Sequence, residues 1–385
     1  CANLRDGQPP INEPDLVELM STNAGLLNFS SDPASLTKCD VVYVAPDVPT
    51  DDTGGSDLSP VLDLIALVDG AMRADAVLVV LSQVPPGFMR RLNLDRKHVY
   101  YQVETLIFGQ AVQRALHPER YIVGCADPQT PLPGAFKAFL DAHECPLLPM
   151  QFESAELAKI SINCCLVASV SVANTLAEIC EEIGADWSEI APALKLDRRI
   201  GPYSYLTPGL GISGGNLERD LATVIQLSDA NGTDSGVVRA WVANSGHRKN
   251  WVLRAIHREV IDTIENPEIG ILGLAYKQDT HSTKNSPSFA LIENLGPFKV
   301  RVYDPVVPAE AAPHPNAIRA SNALEACQNV DVLAVMTAWD EFRDLDPEDI
   351  AKTMGGNVVI DPFKMLDQKA CIDAGLRYIT LGSTV

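Results

Sequence analysis

Apolar residues along this chain fall first into short unbroken runs. "CDVVYVAP" (Cys39–Pro46) leads into turn residues, and "AVLVVLS" (Ala76–Ser82) is stopped by Pro85-Pro86-Gly87, so both read as buried strands. Between them Asp57 stands where a cap belongs, before the helical pattern "LSPVLDLIALVDGAMR". Shorter strands are expected near Val99 and over Tyr121–Val123, followed by a helix in "GAFKAFLDAH". Strands alternating with helices predict a parallel α/β sheet.

From Ser154 the period changes. "SAELAKISINCCLVASVSVANTLAEICEEIG" reads as one long helix, with Ser154 as its N-cap, Glu156 in the first turn and Gly184 as its stop. More helices follow to about Thr263, and "ENPEIG" reads as a linker. Beyond it "IGILGLAY", "KVRVYDP", "VDVLAVMT", "NVVIDP" and "LRYITLG" are five strands with helices between them. The expected fold class is therefore α/β, with domains at 1–152, 153–264 and 265–385, the middle one helical. No clear sequence period relates the two α/β ends.

Composition narrows the partners. A net charge of −20 over 385 residues argues against binding a phosphate backbone through a basic surface, so no nucleic acid is expected. The nine cysteines are scattered, Cys164-Cys165 being the only close pair, and no C-x-x-C occurs. Neither a metal site nor a disulfide framework is indicated, and a reduced cytoplasmic setting is expected. Ile160–Ala177 carries no charge, yet it contains Ser161, Asn163, Ser169, Ser171, Asn174 and Thr175, so it reads as a buried helix rather than a membrane span. No signal peptide is visible. The chain opens on Cys1 and runs into the loop-like "RDGQPPINEP", so an upstream segment is expected.

One stretch has the form of a dinucleotide-binding loop. "PGLGISGGNLERD" (Pro208–Asp220) places Gly209, Gly211 and Gly214 as G-x-G-x-x-G. A dinucleotide loop follows a buried strand, whereas here the polar "RRIGPYSYLTP" precedes it. The better reading is a glycine loop that lets backbone approach a ligand closely, followed by a helix from Asn216. On the long helix, Lys159 and Asn163 share a face, with Glu156 one turn before. A helix ion pair within a polar stripe would explain them. So would a lysine buried on an otherwise apolar helix that needs an anionic ligand or a buried carboxylate.

At these residues the chain resembles the UDP-glucose/GDP-mannose dehydrogenase family. The glycine loop is similar to that family's G-x-G-F-G-G-x-C-[FL]-x-K-D. "PPINEPDLVELM", "DLSPVLDLIALV", "LSQVPPG", "AELAKISINCCLVASVSVANTLAEICEEIGAD", "ILGLAYKQDTHSTKNSP", "VYDPVV" and "AWDEFRDLD" also have counterparts, so the likeness spreads over the whole chain. It implies two Rossmann-like parallel-sheet domains flanking a helical dimerisation core, NAD as cofactor, a UDP- or GDP-linked sugar as substrate, and oxidation at C6. The family's own dinucleotide loop is expected upstream of Cys1.

The resemblance also implies roles. Lys159 and Asn163 hold the oxyanion and the reactive hydroxyl. Asp220 orders a water and helps remove the hydroxyl proton, without which no hydride leaves. Glu104, in "YQVETLIFG", is either a second acid/base or an exposed strand-end carboxylate. Gly211 and Gly214 approach the sugar, Arg199 binds it across a dimer, and Lys277 joins them. Pro49, Ser82, Glu104 and Lys284 fall at cofactor positions.

The departures cluster on the second oxidation. Asn216 stands where the family has its nucleophilic cysteine, and an amide cannot form the covalent intermediate. Cys164 and Cys165 lie about 100 and 200 degrees around the helix from Asn163, so they are poor substitutes. Arg219 replaces a lysine, Gln83 a threonine, Phe108 an acidic residue and Lys284 an arginine, whose bidentate fork a lysine does not reproduce. His281-Ser282 replaces an acidic pair, and Asp361–Lys364 a D-G-R-N type loop. Three readings follow: one hydride transfer, full oxidation with water attacking the aldehyde, or a non-catalytic nucleotide-sugar binder. Retention of Lys159, Asn163 and Asp220 favours the enzymes.

Overall fold

The computed structural model describes residues 2–11, 13–49, 51, 55–94, 98–107 and 109–384. Cys1 and Phe108 lie outside them. The chain forms two compact units, Cys1–Ile162 and Asn163–Val385.

The first unit holds β1 (Val41–Val44), β2 (Val77–Val80), β3 (Val99–Gln102), β4 (Tyr121–Cys125) and β5 (Leu147–Gln151), paired in that order. Every pair is parallel except β3–β4, which is antiparallel, so this sheet is mixed where a wholly parallel one was expected. An apolar run announces a strand but carries no information on its direction, which the connection decides. Every side chain of β2 is buried, because helices cover both faces. One face packs Val44, Val61, Ile65, Leu78, Val80 and Phe152, the other Val77, Val79, Val123, Phe136 and Leu140. The sequence pattern gives no sign of β5, which contains Pro149 and lies at the sheet edge, where a missing N–H is tolerated.

The cap position of helix Ser59–Ala71 falls on Leu58, one residue after the expected Asp57, whose Oδ1 nevertheless accepts from the Ser59 amide at 3.0 Å. Ser154 does not cap. The long helix runs Phe152–Ile183 and follows β5 without a loop, which leaves Ser154 inside its first turn. Gly184 ends it with φ of 77°, a left-handed position that favours glycine.

The second unit holds the rest of the long helix, the helices Trp187–Leu196, Asn216–Asn231, Gly236–Lys249 and Trp251–Ile256, and a second sheet. Its strands are β6 (Glu268–Leu272), β7 (Lys299–Tyr303), β8 (Ile318–Arg319), β9 (Val332–Val335), β10 (Val358–Ile360) and β11 (Arg377–Ile379). They lie in the order β11-β10-β9-β6-β7-β8, all parallel. Five were expected. β8 is two residues long and has no apolar run to announce it. The order reverses between β6 and β9, the position where sheets of this kind bind ligands beyond their carboxyl ends.

Asp304, just past β7, organises that end. Its Oδ2 accepts from the Leu274 and Ala275 amides at 2.7 and 3.0 Å and from the Trp339 indole at 3.0 Å, and its Oδ1 from the Val306 and Val307 amides at 2.9 and 2.7 Å. The carboxylate thus satisfies four backbone donors at the carboxyl end of the sheet. Asp304→Asn puts an NH2 against some of those donors. We expect it to lower stability by about 2–4 kcal/mol, read as a lower urea midpoint at unchanged slope.

Candidate active site

In the first unit, the expected residues gather on one edge. Strands β1, β2 and β3 run parallel, so the segments that leave their carboxyl ends emerge together. Pro49 lies on the segment after β1, where its carbonyl accepts from the Asp57 amide at 2.9 Å. Ser82 follows β2 and donates its hydroxyl to the Pro46 carbonyl at 2.7 Å, tying the two segments together. Glu104 follows β3, and its Oε2 lies 4.0 Å from Lys159 Nζ, with side chains 34% and 14% exposed. This is the carboxyl edge of the parallel part of the mixed sheet, β1 to β3, the kind of edge that holds dinucleotides. Pro49, Ser82 and Glu104 lie on the segments that leave β1, β2 and β3 at this edge.

Lys159 therefore finds its carboxylate in Glu104, not in Glu156. Glu156 is fully buried and accepts from the Gly87 and Met89 amides at 2.5 and 2.8 Å. Burial pushes its carboxyl above the usual range, against the pull of those two amides. Its work is to hold the Pro85-Pro86-Gly87 turn.

In the second unit, Asn163 and Asp220 meet. Asn163 Nδ2 donates to Asp220 Oδ2 at 2.5 Å, and Arg219 Nε lies 3.7 Å from Asp220 Oδ1. Asp220 and Arg219 are both buried. Asn216 opens the helix Asn216–Asn231 and is exposed, one turn ahead of Asp220. Cys164 is half-buried, and burial, with Asp220 adding to it, pushes its thiol up to about 11. Burial and the neighbouring carboxylate both disfavour the thiolate, the nucleophilic form of cysteine.

The glycine loop is held from several sides. Gly211 and Gly214 have φ of 85° and 79°. A Cβ on Gly211 would lie 2.5 Å from the Ser245 carbonyl oxygen, and one on Gly214 would lie 3.1 Å from the Tyr276 ring. Only glycine satisfies both the backbone angle and the space. Lys277 places its ammonium 5.8 Å from the Tyr276 ring centroid. Lys284 was expected at the cofactor. Its side chain runs past Gly215, where a Cβ would lie 3.6 Å from its Cδ and Cε, and its carbonyl accepts from the Gly214 amide at 3.2 Å. The loop therefore has Lys284 beside the residue preceding Asn216.

Arg199 is not brought to this loop. Its side chain is 89% exposed and pairs with Asp197 at 2.6 Å. The Asp361–Lys364 stretch is internal scaffolding: Asp361 accepts from the Leu366 amide at 2.8 Å and the Tyr378 hydroxyl at 2.9 Å.

Two residues escaped sequence reasoning. Asn174 Oδ1 accepts from the Gly209 amide at 2.8 Å, and Ser245 Oγ accepts from the Ile212 amide at 2.8 Å. For Asn174 a signal existed: it is eleven residues after Asn163, three turns along the same helix face. For Ser245 there was none.

Comparison with known proteins decides the family. Residues 1–137, 153–245 and 270–368 match, in turn, the NAD binding domain, the central domain and the UDP binding domain of the UDP-glucose/GDP-mannose dehydrogenase family. The chain belongs to that family. It is 28% identical over 407 aligned residues to the UDP-glucose 6-dehydrogenase of Pseudomonas aeruginosa, covering 99% of this chain and 89% of that one. It is 26% identical over 366 residues to that of Rickettsia conorii, covering 91% and 83%. The structure of a UDP-glucose dehydrogenase from Pyrobaculum islandicum matches with a TM-score of 0.82 at 25% identity, over 98% of this chain and 88% of that one. This dehydrogenase is an NAD-dependent oxidoreductase acting on a CH–OH group of a nucleotide sugar.

The Cys164 environment gives a direct test. Iodoacetamide at pH 8 should leave Cys164 unmodified in the folded enzyme, read by peptide mass, and Cys164→Ser should keep NADH production within about two-fold of wild type.

Proposed function

We propose that this dehydrogenase oxidises the C6 hydroxyl of a UDP- or GDP-linked sugar once and stops at the carbonyl. Asn163 and Lys159 orient the hydroxyl and steady its oxygen as the proton leaves. Asp220, through an ordered water, takes that proton. NAD, which Pro49, Ser82 and Glu104 would help to hold, would supply the acceptor for the C6 hydride, and Glu104 keeps Lys159 in place. The loop Gly209–Gly215 brings backbone against the sugar, aided by Lys277 and Lys284.

The observation that carries this reading is the Asn163–Asp220 hydrogen bond, at 2.5 Å, in a site where residue 216 is an amide and the Cys164 thiol is held near 11. The first step needs a base and an oriented hydroxyl, and both have candidates. The second needs a nucleophile that adds to the aldehyde, and an amide supplies none. The domain limits 1–152, 153–264 and 265–385 belong to the same proposal, supported by the order of the family matches.

A homodimer through the central helix completes the proposal. Val172, Leu176, Ile179 and Ile183 are exposed on successive turns of one helix face, in a helix apolar enough by composition to cross a membrane. Such a stripe fits a second copy of itself, and Arg199, paired with Asp197, is turned outward where it could meet that copy. A cytoplasmic location fits eight cysteines that are unpaired among the described residues.

Counting NADH per nucleotide sugar consumed tests the chemistry. One per sugar is expected, and two with a carboxylate product would overturn it. Asn216→Cys should raise the count toward two, while Asp220→Asn should lower kcat by about 10²–10⁴. Leu176→Glu with Ile179→Glu should shift the dimer to monomer in sedimentation.

A further inference from the structure

The glycine loop does not hold its own shape. It has no strand or helix before Asn216, and its two positive-φ glycines make it permissive of many backbone paths. Two buried side chains restrict it. Asn174 is 1% exposed and receives the Gly209 amide, and Ser245 is 7% exposed and receives the Ile212 amide. Neither residue belongs to the loop or to the set Lys159, Asn163 and Asp220.

The two anchors come from different helices. Asn174 lies on the long helix, on the face that also carries Asn163, so the stretch from Gly209 to Asp220 is tied to one rigid element at both ends. Ser245 lies on the helix Gly236–Lys249 and meets the loop between those ends. One turn of that helix makes three contacts: Ser245 Oγ to Ile212, Arg248 Nε to the Gly209 carbonyl at 3.5 Å, and Lys249 Nζ to Glu218 Oε1 at 2.9 Å. The fit is close on the same side, since the Ser245 carbonyl leaves no room for a Cβ on Gly211.

We propose that Asn174 and Ser245 are positioning residues for nucleotide-sugar binding: their oxygens fix the amides of Gly209 and Ile212 and so pre-form the loop conformation that receives the sugar. This rests on the reading of Gly209–Gly215 as the substrate loop. The side-chain oxygens do not touch substrate. They spare the ligand the cost of ordering a flexible segment, which otherwise appears as lost affinity.

Calorimetric titration separates this role from a merely structural one. The probes are NAD, and whichever of UDP-glucose, UDP-N-acetylmannosamine and GDP-mannose the wild-type enzyme binds. Ser245→Ala should weaken the sugar nucleotide about ten-fold, with NAD affinity and Tm close to wild type. Asn174→Ala should act in the same direction, and Asn174→Asp, which keeps an oxygen for the Gly209 amide, should bind the sugar nucleotide better than Asn174→Ala. Unchanged sugar-nucleotide affinity in Ser245→Ala overturns the proposal, as does an equal loss of affinity for NAD. Gly211→Ala tests the underlying reading. If it weakens sugar-nucleotide binding while Ser245→Ala does not, only the positioning role fails. If neither variant changes it, the loop is not the substrate loop and both readings fall.

Discussion

One face of the long helix holds both ends of the glycine segment. Asn174 receives the Gly209 amide near one end, and Asn163 reaches the buried Asp220 at the other. The helix is 32 residues long, and a helix of that length is a stiff ruler. The spacing of the two asparagines thus fixes where the loop begins and where its carboxylate stands. The packing follows the same line: Val167 of the long helix joins Ile212 of the loop and Leu221 of the next helix in one apolar cluster. Polar bonds set the register, and the apolar contacts between them keep water out, which strengthens each bond.

The acidity of the chain has a structural counterpart. Glu13 accepts from the Gly109 and Ala111 amides, Glu156 from Gly87 and Met89, Asp304 from four amides and an indole, and Asp361 from the amides of a turn. In each case a carboxylate satisfies backbone donors that no helix or strand uses. Glu178 and Glu181 do the corresponding work for a cation, flanking the fully buried Arg248 at 3.3 and 3.9 Å. Glu181 also accepts from the Trp251 indole and the Gly382 amide, so the C-terminal end of the second sheet is tied to the long helix through one side chain.

The chemistry separates along the same lines. Two of the groups proposed for the hydride transfer are each held by a partner: Lys159 by Glu104, Asp220 by Asn163. Residue 216 is an amide, and the Cys164 thiol sits where burial and a neighbouring carboxylate both oppose the thiolate.

Much was legible in the residues alone. The long helix, its stop at Gly184 and the α/β character of both ends follow from local period and local turn chemistry, which need no neighbour to act. The glycine loop was read as a segment that lets backbone approach a ligand, and the fold shows the protein groups that crowd it, Ser245 at Gly211 and Tyr276 at Gly214. Tertiary structure alone decided the rest. The reversal at β3–β4, the edge strand with Pro149 and the two-residue β8 depend on pairing partners distant in sequence. So did the fate of the charges. Glu156, one turn before Lys159, looked able to serve it, and only the fold shows that Glu156 is committed to the Gly87 turn and that Glu104 faces the lysine. A side chain's type states what it can bond, and its neighbours in space settle what it does.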